Sequence, residues 1–520
     1  MIYVILGQTA SGKTSLALKL AKLYKMPVIS ADAYQCYKMM SIGTDKPTRS
    51  DVEDIEYSFY DEYEPDEEVS VFTFQKECRP LLDKYVKEGR DVIVVGGTLL
   101  YIKALLYNYV FEKDEEEVDD YENMPLSEMQ DLLLKKDPKT YQEIDNRNPR
   151  RVIRALRLID KGISREEVLE KNDDKPLYPV TFFKLTVDKD LGNKKIDERV
   201  DKMFKEGLVE EVKKLLIKYP NNPRSFISIG YQEIIAGLKD NKSQEEMASL
   251  VKIHTHQLAK KQRTFIRNQF KDEIEGTSDE VFDLISNNIL LKKRTRLVLS
   301  DEVMNKIESS SVLFCGLGGV GGLALIDLVR LGFTSFTLID FDKVDSTNLN
   351  RQALYVYGDI SKSKTEVAEK RMKEINPLIK VVTDNSKIED IDSLPKEKYS
   401  IIIDCIDFVK GKASLYQKSI QDNSIFISSM GLGYHCDSTK VKYGKLKDAC
   451  DPLAKSFRDE LIKDQLPYQD IDCIYASDGK EKNKSKVRAN DKTIGSIATV
   501  PQAGGLAIIS LLLKILKERN

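Results

Sequence analysis

A chain of 520 residues is too long for one ordinary core and calls for two or more, each large enough to bury its own apolar surface. With 41% hydrophobic and 32% charged residues, the composition points away from disorder and from a coiled coil. The net charge of −3 leaves nucleic-acid binding open, because it averages an arginine-rich block at Arg147–Arg157 with an acidic one at Asp114–Asp120.

Met1-Ile2-Tyr3-Val4-Ile5-Leu6 reads as a first strand that runs straight into a glycine loop, without the basic region, apolar stretch and cleavage site of a signal peptide. The loop, Gly7-Gln8-Thr9-Ala10-Ser11-Gly12-Lys13-Thr14, satisfies G-x-x-x-x-G-K-[ST] between that strand and a helical pattern over Ser15–Leu23. Its glycines let backbone N–H groups wrap phosphate oxygens, Lys13 brings a point charge to a terminal phosphate, and the Thr14 hydroxyl suits Mg²⁺. A diphosphate or triphosphate ligand is expected. Apolar runs at Pro27–Ile29 and Val92–Val95, alternating with helical patterns, predict βαβ units on a parallel sheet.

From about 120 to 275 the pattern turns helical, with one strand expected at Val180–Val187. Arg150, Arg154 and Arg157 recur at i, i+4 and i+7, and Lys260, Arg263 and Arg267 at i, i+3 and i+7, so each trio lines one helix face. By themselves such stripes either hold nucleic-acid phosphates or face solvent. His254 and His256, beside the second stripe, read as surface residues. A polar, acidic stretch from Lys271 to Asp279 begins an expected linker over 276–293.

A second βαβ series starts at Val312-Leu313-Phe314 and leads into Gly316-Leu317-Gly318-Gly319-Val320-Gly321, with Asp340 and Asp342 closing the next strand. Alone, G-x-G-x-x-G first suggests a dinucleotide, and the Asp404-x-x-Asp407 pair at a strand end could merely cap the following helix. Lys480–Lys492, mostly Lys, Asn and Ser, reads as a mobile loop. The apolar stretch Leu506–Leu513 is interrupted by Lys514 and falls short of the roughly 20 residues of a spanning helix, so no membrane segment is expected. Seven cysteines without a Cys-x-x-Cys pair fit reduced thiols in a cytoplasm and remove the strongest sequence argument for structural zinc.

The first half resembles the tRNA dimethylallyltransferase (isopentenyltransferase) family over about residues 1 to 275. Ile29-Ser30-Ala31-Asp32-Ala33-Tyr34-Gln35-Cys36-Tyr37, Ile42-Gly43-Thr44-Asp45-Lys46-Pro47 and Gly96-Gly97-Thr98-Leu99-Leu100-Tyr101 carry the likeness. It continues through Asn148–Leu156, Ile229-Gly230-Tyr231 and Ala259–Arg267. The resemblance implies transfer of the five-carbon group of dimethylallyl diphosphate to the exocyclic amine of adenine, with the phosphate loop holding the diphosphate leaving group. It implies Asp32 as general base, Thr98 orienting the amine, and Arg150, Arg151, Arg154, Lys260, Arg263 and Arg267 on tRNA. The chain departs from the family's usual His near Tyr57-Ser58, basic residue at Gln232, Arg at Lys261 and Trp at Phe265.

In the second half, Leu338–Asp342, Asn348-Leu349-Asn350-Arg351-Gln352, Lys364 and Asp404-Cys405-Ile406-Asp407 resemble the ubiquitin-activating-enzyme-like adenylating superfamily. That likeness implies ATP on the loop of Gly316, Gly318, Gly319 and Gly321, Asp342 on the ribose hydroxyls, Arg351 and Lys364 on phosphates, and Asp407 holding Mg²⁺ at the α-phosphate. Arg294 or Arg296 is expected to add a phosphate contact, and Cys405 reads as core and not as a nucleophile. Asp437–Val441, Asp451-Pro452-Leu453, Arg458, Gly495-Ser496 and Val500-Pro501 look most like the tRNA threonylcarbamoyladenosine dehydratase family.

The fold class expected is α/β: a P-loop parallel-sheet domain over 1–275 with a helical tRNA-binding insertion at about 120–200, then a Rossmann-like adenylation domain over 294–520. The expected enzyme is bifunctional and acts on the adenosine 3′ of the anticodon, position 37. Its partners are tRNA, dimethylallyl diphosphate and ATP with Mg²⁺, its location is cytoplasmic without a membrane, and its second half forms a homodimer. The alternatives are a nucleotide or small-molecule kinase joined to a sulfur-carrier adenylyltransferase, or a degenerate tRNA scaffold in one half.

Overall fold

The computed structural model describes residues 1–109, 121, 124–160, 175–478 and 494–518, so the expected mobile loop Lys480–Lys492 and the acidic block Asp114–Asp120 lie outside the described residues. The chain divides into two compact units, Met1–Val86 with Arg90–Val281, and Lys87–Gly89 with Phe282–Asn520.

The first unit is built on a six-stranded sheet of order β3-β2-β4-β1-β5-β6. Its strands are β1 (Ile2–Leu6), β2 (Val28–Ser30), β3 (Tyr57–Ser58), β4 (Val92–Val95), β5 (Val180–Leu185) and β6 (Ile274–Gly276), all paired in parallel. Every residue of β1 and β4 is buried, as runs of Val and Ile covered on both faces require. β1 delivers the phosphate loop to helix α1 (Lys13–Tyr24) at the carboxyl edge of the sheet.

Strand β5 pairs with β1 in the middle of that sheet, so the helical insertion placed at about 120–200 ends before Val180. Its helices α2 (Leu126–Lys136) and α3 (Pro149–Asp160) share a small core of Met129, Leu133, Val152, Ala155 and Leu156. After β5 the chain forms α4 (Lys189–Lys205) and α5 (Gln244–Gln269), which pack on each other. Ser243 and Glu246 start α5 with reciprocal side-chain and backbone bonds.

The segment expected as a linker is ordered. Ile274–Gly276 pairs with β5, and Thr277 and Glu280 cap α6 (Ser278–Lys293) by exchanging side-chain and backbone hydrogen bonds. Polar composition hid an apolar pair, Val281 and Ile285, that is fully buried. The division between the two units falls inside this helix.

The second unit holds a seven-stranded sheet of order β12-β13-β11-β10-β7-β8-β9. Its strands are β7 (Ser311–Cys315), β8 (Ser335–Ile339), β9 (Lys380–Asp384), β10 (Ile401–Asp404), β11 (Ile425–Ser429), β12 (Val441–Lys445) and β13 (Asp472–Ala476). Only the edge strand β12 runs antiparallel. Helix α7 (Gly321–Leu331) follows β7, α8 (Val409–Asp422) follows β10, and α9 (Thr499–Glu518) closes the unit against α7, β12 and β13.

α9 is longer than the apolar stretch suggested: it has 20 residues, and an 18-residue window within it has a mean hydropathy of 1.6, enough by length and composition to cross a membrane. Its stripe of Val500, Gly504, Ile508, Leu511, Leu512 and Leu516 is buried, which makes it the core helix of an α/β unit. A Cβ on Gly505 would stand 2.9 Å from Val320 O, so the close approach to α7 depends on that glycine. Arg296, expected near phosphate, instead donates to Glu308 at 2.8 Å beside the buried Lys292–Glu308 pair.

Candidate active sites

In the first unit, Gly12 takes left-handed backbone angles (φ 89°, ψ 11°) at the start of α1, where a side chain would be strained. Lys13 is buried, and its Nζ donates to Gln8 O at 2.6 Å. Burial, and then the nearby Arg199, lower its ammonium to about 7, against the opposing pull of Asp32 and Asp45. Ser11 Oγ, inside the loop, is buried without a protein partner, as a hydroxyl kept for a ligand oxygen would be.

Two helices tighten this loop. Arg199 on α4 donates to Thr9 Oγ1 at 2.8 Å and pairs with Asp45 at 3.3 Å. Gln262 on α5 accepts from Thr9 N at 2.8 Å and donates to Gly97 O at 2.9 Å, joining the phosphate loop to the loop after β4.

That second loop carries Thr98 and abuts Asp32. Asp32 Oδ1 accepts from the N–H groups of Tyr34 (3.0 Å) and Gln35 (3.3 Å), which fixes the carboxylate just past β2. Thr98 Oγ1 accepts from Ala33 N at 3.0 Å, and Thr98 N donates to Ala31 O at 3.0 Å. A Cβ on Gly96 would stand 2.1 Å from Ala31 O, so that position requires glycine, and one on Gly97 would crowd Asp32 Oδ2 at 3.1 Å. Asp32, Thr98 and the loop Gly7–Thr14 therefore share the carboxyl ends of the adjacent strands β2, β4 and β1.

The basic residues do not all join them. Arg263 donates to Gln8 Oε1 and so reaches the phosphate loop itself, whereas Lys260 lines a cavity of about 520 Å³ with Gln257, Lys261, Thr264 and Phe265, and Arg267 is exposed. Arg151 and Arg154 are exposed on α3, and the side chain of Arg150 lies outside the described residues. His254 and His256 are engaged with acids, His254 Nδ1 at 2.5 Å from the buried Glu233 and His256 Nε2 at 2.9 Å from Asp197.

Several residues here escaped the sequence reading. Arg199 is a single polar position within a helix and had no local signal, whereas Gln262 lies in the quoted Ala259–Arg267 segment but its bridging contacts were not read there. Glu211 accepts from the N–H groups of Ser41 (3.2 Å), Ile42 (3.0 Å) and Gly43 (3.3 Å) and from Tyr231 OH (2.6 Å), so it holds the turn that carries Asp45. The quoted motifs Ile42–Pro47 and Ile229–Tyr231 meet through it. Gln232 is exposed.

In the second unit, one cavity of about 280 Å³ is lined by Gly316, Gly318, Gly319, Asp342, Arg351, Lys364 and Asp407, together with Asn348, Gln352, Lys387 and Cys405. It sits at the carboxyl ends of β7, β8 and β10. Gly316 and Gly321 are required by space: their Cβ atoms would lie 2.5 Å from Cys405 C and 2.0 Å from Gly316 O. Gly321 itself opens α7 beneath the loop.

Asp340 is buried and accepts from Leu317 N (2.6 Å) in the glycine loop and from Asp342 N (2.9 Å); burial pushes its carboxyl above the usual range. Lys364 Nζ lies 2.6 Å from Asp342 Oδ2, and Arg351 donates to Thr347 O at 2.9 Å and Asn350 Oδ1 at 3.0 Å. Gln352 Oε1 is buried without a protein partner in the same cavity. Asp407 is exposed and lines the same cavity. Cys405, expected in the core, follows β10 and forms part of the cavity wall, with its thiol pushed up by burial.

The IPP transferase family model matches residues 35–269, and the ThiF family model matches residues 292–520. A tRNA dimethylallyltransferase of Bacillus cereus (strain ATCC 10987 / NRS 248) is 35% identical over 304 residues, 56% of this chain and 96% of that relative. Among solved structures, a tRNA delta(2)-isopentenylpyrophosphate transferase of Staphylococcus epidermidis is 29% identical, with 56% of this chain and 98% of that one covered and a TM-score of 0.42. A tRNA N6-threonylcarbamoyladenosine dehydratase of E. coli, solved in complex with AMP, is 26% identical, with 44% of this chain and 94% of that one covered and a TM-score of 0.41.

Proposed function

Because this chain belongs to the tRNA dimethylallyltransferase family through its first half and carries a ThiF-family domain in its second, we propose that it performs two modifications of tRNA, both at the adenosine 3′ of the anticodon. The first is transfer of dimethylallyl from its diphosphate to the adenine N6 amine. The second is ATP-dependent cyclodehydration of threonylcarbamoyladenosine.

For the first reaction, the observation that carries the reading is the stitching of Asp32 and Thr98 to the rim of a phosphate loop. As N6 attacks the allylic carbon its N–H becomes acidic, and the Asp32 carboxylate, fixed by Tyr34 and Gln35 N–H groups, takes the proton. The carbon–oxygen bond breaks, and diphosphate leaves into a loop where Lys13, Arg199, Ser11 and the backbone N–H groups face the growing charge. Lys260, Arg151 and Arg154, with Arg150 and Arg267, hold the tRNA backbone, while Arg263 serves the diphosphate side through Gln8.

For the second reaction, the carrying observation is the single cavity that gathers Asp342, Arg351, Lys364 and Asp407 around a glycine loop. Asp342 receives the ribose hydroxyls of ATP, and Arg351 and Lys364 meet the phosphates as the substrate carboxylate attacks the α-phosphate and diphosphate departs. The ureido group of the substrate then displaces AMP from the acyl carbon and closes the ring. Thr14 and Asp407 offer the hard oxygen donors that suit Mg²⁺, which when bound neutralises phosphate charge.

The enzyme is expected in the cytoplasm, with pairing of two copies through the second unit testable by light scattering. The decisive experiment incubates the purified full chain with tRNA and either dimethylallyl diphosphate or ATP, followed by nucleoside mass spectrometry. A mass gain of one dimethylallyl group, and separately the loss of one water from threonylcarbamoyladenosine, are the results expected. Absence of either product removes the corresponding half of the reading.

A further inference from the structure

Beneath the wall of the nucleotide cavity lies a polar cluster that the reaction as described leaves unused. Lys412 and Asp404 are both fully buried, with Lys412 Nζ 3.0 Å from Asp404 Oδ2. Lys412 also donates to Ser428 Oγ at 3.1 Å and to Ser429 O at 2.8 Å, so all its ammonium protons are used. Ser428 Oγ in turn donates to Asp404 Oδ2 at 2.6 Å. The cluster thus ties α8 to the last residues of β10 and β11, where the sheet opens on the cavity.

The other oxygen of Asp404 faces the cavity wall. Asp404 Oδ1 accepts from Ile406 N at 3.2 Å, which shapes the turn of Cys405, Ile406 and Asp407. Cys405 N donates to Cys315 O at 2.7 Å, and a Cβ on Gly411 would stand 2.8 Å from Ile406 Cδ1, so strand and helix close on the turn from either side. Asp407 itself is exposed and makes none of these contacts. Its direction follows from a turn anchored by a carboxylate that Lys412 and Ser428 hold.

A buried ion pair is an expensive way to gain stability alone, since apolar residues of similar volume often do as well or better. A rigid second layer behind a metal- and phosphate-facing carboxylate, by contrast, changes affinity directly. We propose that Lys412 is a positioning residue for the adenylation reaction: through Asp404 it fixes the turn that aims Asp407 at the metal-bearing α-phosphate of ATP. The inference rests on the ATP-dependent reading of this cavity.

The test uses the full chain with Lys412→Met, and with Asp404→Asn combined with Lys412→Met so that no charge is left buried alone. Calorimetry measures binding of a non-hydrolysable ATP analogue with and without Mg²⁺, thermal melting follows the fold, and dimethylallyl transfer serves as an internal control. The double variant is expected to melt near the parent, bind the metal-free analogue as the parent does, and lose about 10-fold or more of the affinity that Mg²⁺ adds, with a matching loss of ring closure. A double variant that melts like the parent and keeps the full Mg²⁺-dependent gain overturns the proposal, as does a loss that only follows the fraction unfolded. Should neither variant fold, Ser428→Ala, which deletes one donor to the same oxygen, must lower the Mg²⁺-dependent gain, and a parent value there also overturns it. A parent chain that binds no ATP analogue at all sinks the reading of the cavity, a result distinct from a parent that binds and a variant that matches it.

Discussion

Lys13 sits in a loop that buries its ammonium before any phosphate arrives, and burial and Arg199 lower its titration from 10.5 to about 7. Between those values the unfolded chain binds more protons than the native one, so this residue makes stability rise with pH from about 7 towards 10.5, while below about 7 the native enzyme carries the buried charge. Diphosphate favours the ammonium, so its binding at pH 8 should take up a proton. Calorimetry in two buffers of different ionisation enthalpy should show that uptake at pH 8, a smaller one at pH 6, and a smaller one at pH 8 in Lys13→Arg, whose guanidinium does not titrate. Equal heats in both buffers at pH 8 would count against it. Asp32→Ala, by removing the proposed base and no phosphate-facing cation, should slow single-turnover prenylation on the order of 100-fold or more with tRNA affinity unchanged; a variant that binds tRNA poorly but transfers at the parent rate would remove the assignment. The phosphate loop was legible because it is contiguous and its spacing encodes the backbone it needs, while Asp32 and Thr98 were singled out by family resemblance. Arg199, Gln262 and Glu211 were not, because their partners are brought to them only by the fold.

At the scale of elements, α5 reaches the phosphate loop through Gln262 and Arg263 while presenting Lys260 to a separate cavity, so in the function proposed above one helix would serve both diphosphate and tRNA. Gln262→Ala leaves Thr9 N and Gly97 O without their partner, at a cost of roughly 1–3 kcal/mol in a buried setting. The expected outcome is a raised KM for dimethylallyl diphosphate and a lowered kcat, with the tRNA KM nearly unchanged, measured by steady-state prenylation. A change confined to the tRNA KM would show that the bridge does not order the loop. The strand order of both sheets was anticipated only as parallel βαβ units; their extent was hidden where composition misleads. Lys271–Asp279 looks like a tether but contributes the short edge strand β6 and the cap of α6, since three residues of edge strand need little apolar sequence. α9 was underestimated for the opposite reason: Gly504 and Gly505 dilute its apolar count while allowing its closest packing.

For the whole molecule, both proposed modifications fall on the same nitrogen of the same nucleoside. An adenine amine that carries dimethylallyl is no substrate for threonylcarbamoyl chemistry, and the converse holds, so no tRNA can pass from one active site to the other as product and then substrate. The two units should therefore serve different tRNAs and work independently, the covalent link supplying at most effective concentration at shared tRNA. The structure says where the chain can be cut without breaking a helix or strand. A cut between Gly276 and Ser278 leaves β6 paired in the first fragment and keeps all of α6, with the Lys292–Glu308 pair, in the second. A cut after Val281 would split α6 and strip Val281 and Ile285, both fully buried, from a common helix. The fragments from the first cut are expected to retain prenylation and ring closure respectively, with losses confined to apparent tRNA affinity, when assayed apart and mixed by nucleoside mass spectrometry. If the second fragment closes rings only in the presence of a first fragment with an intact Asp32, the two sites are coupled chemically and their independence is refuted.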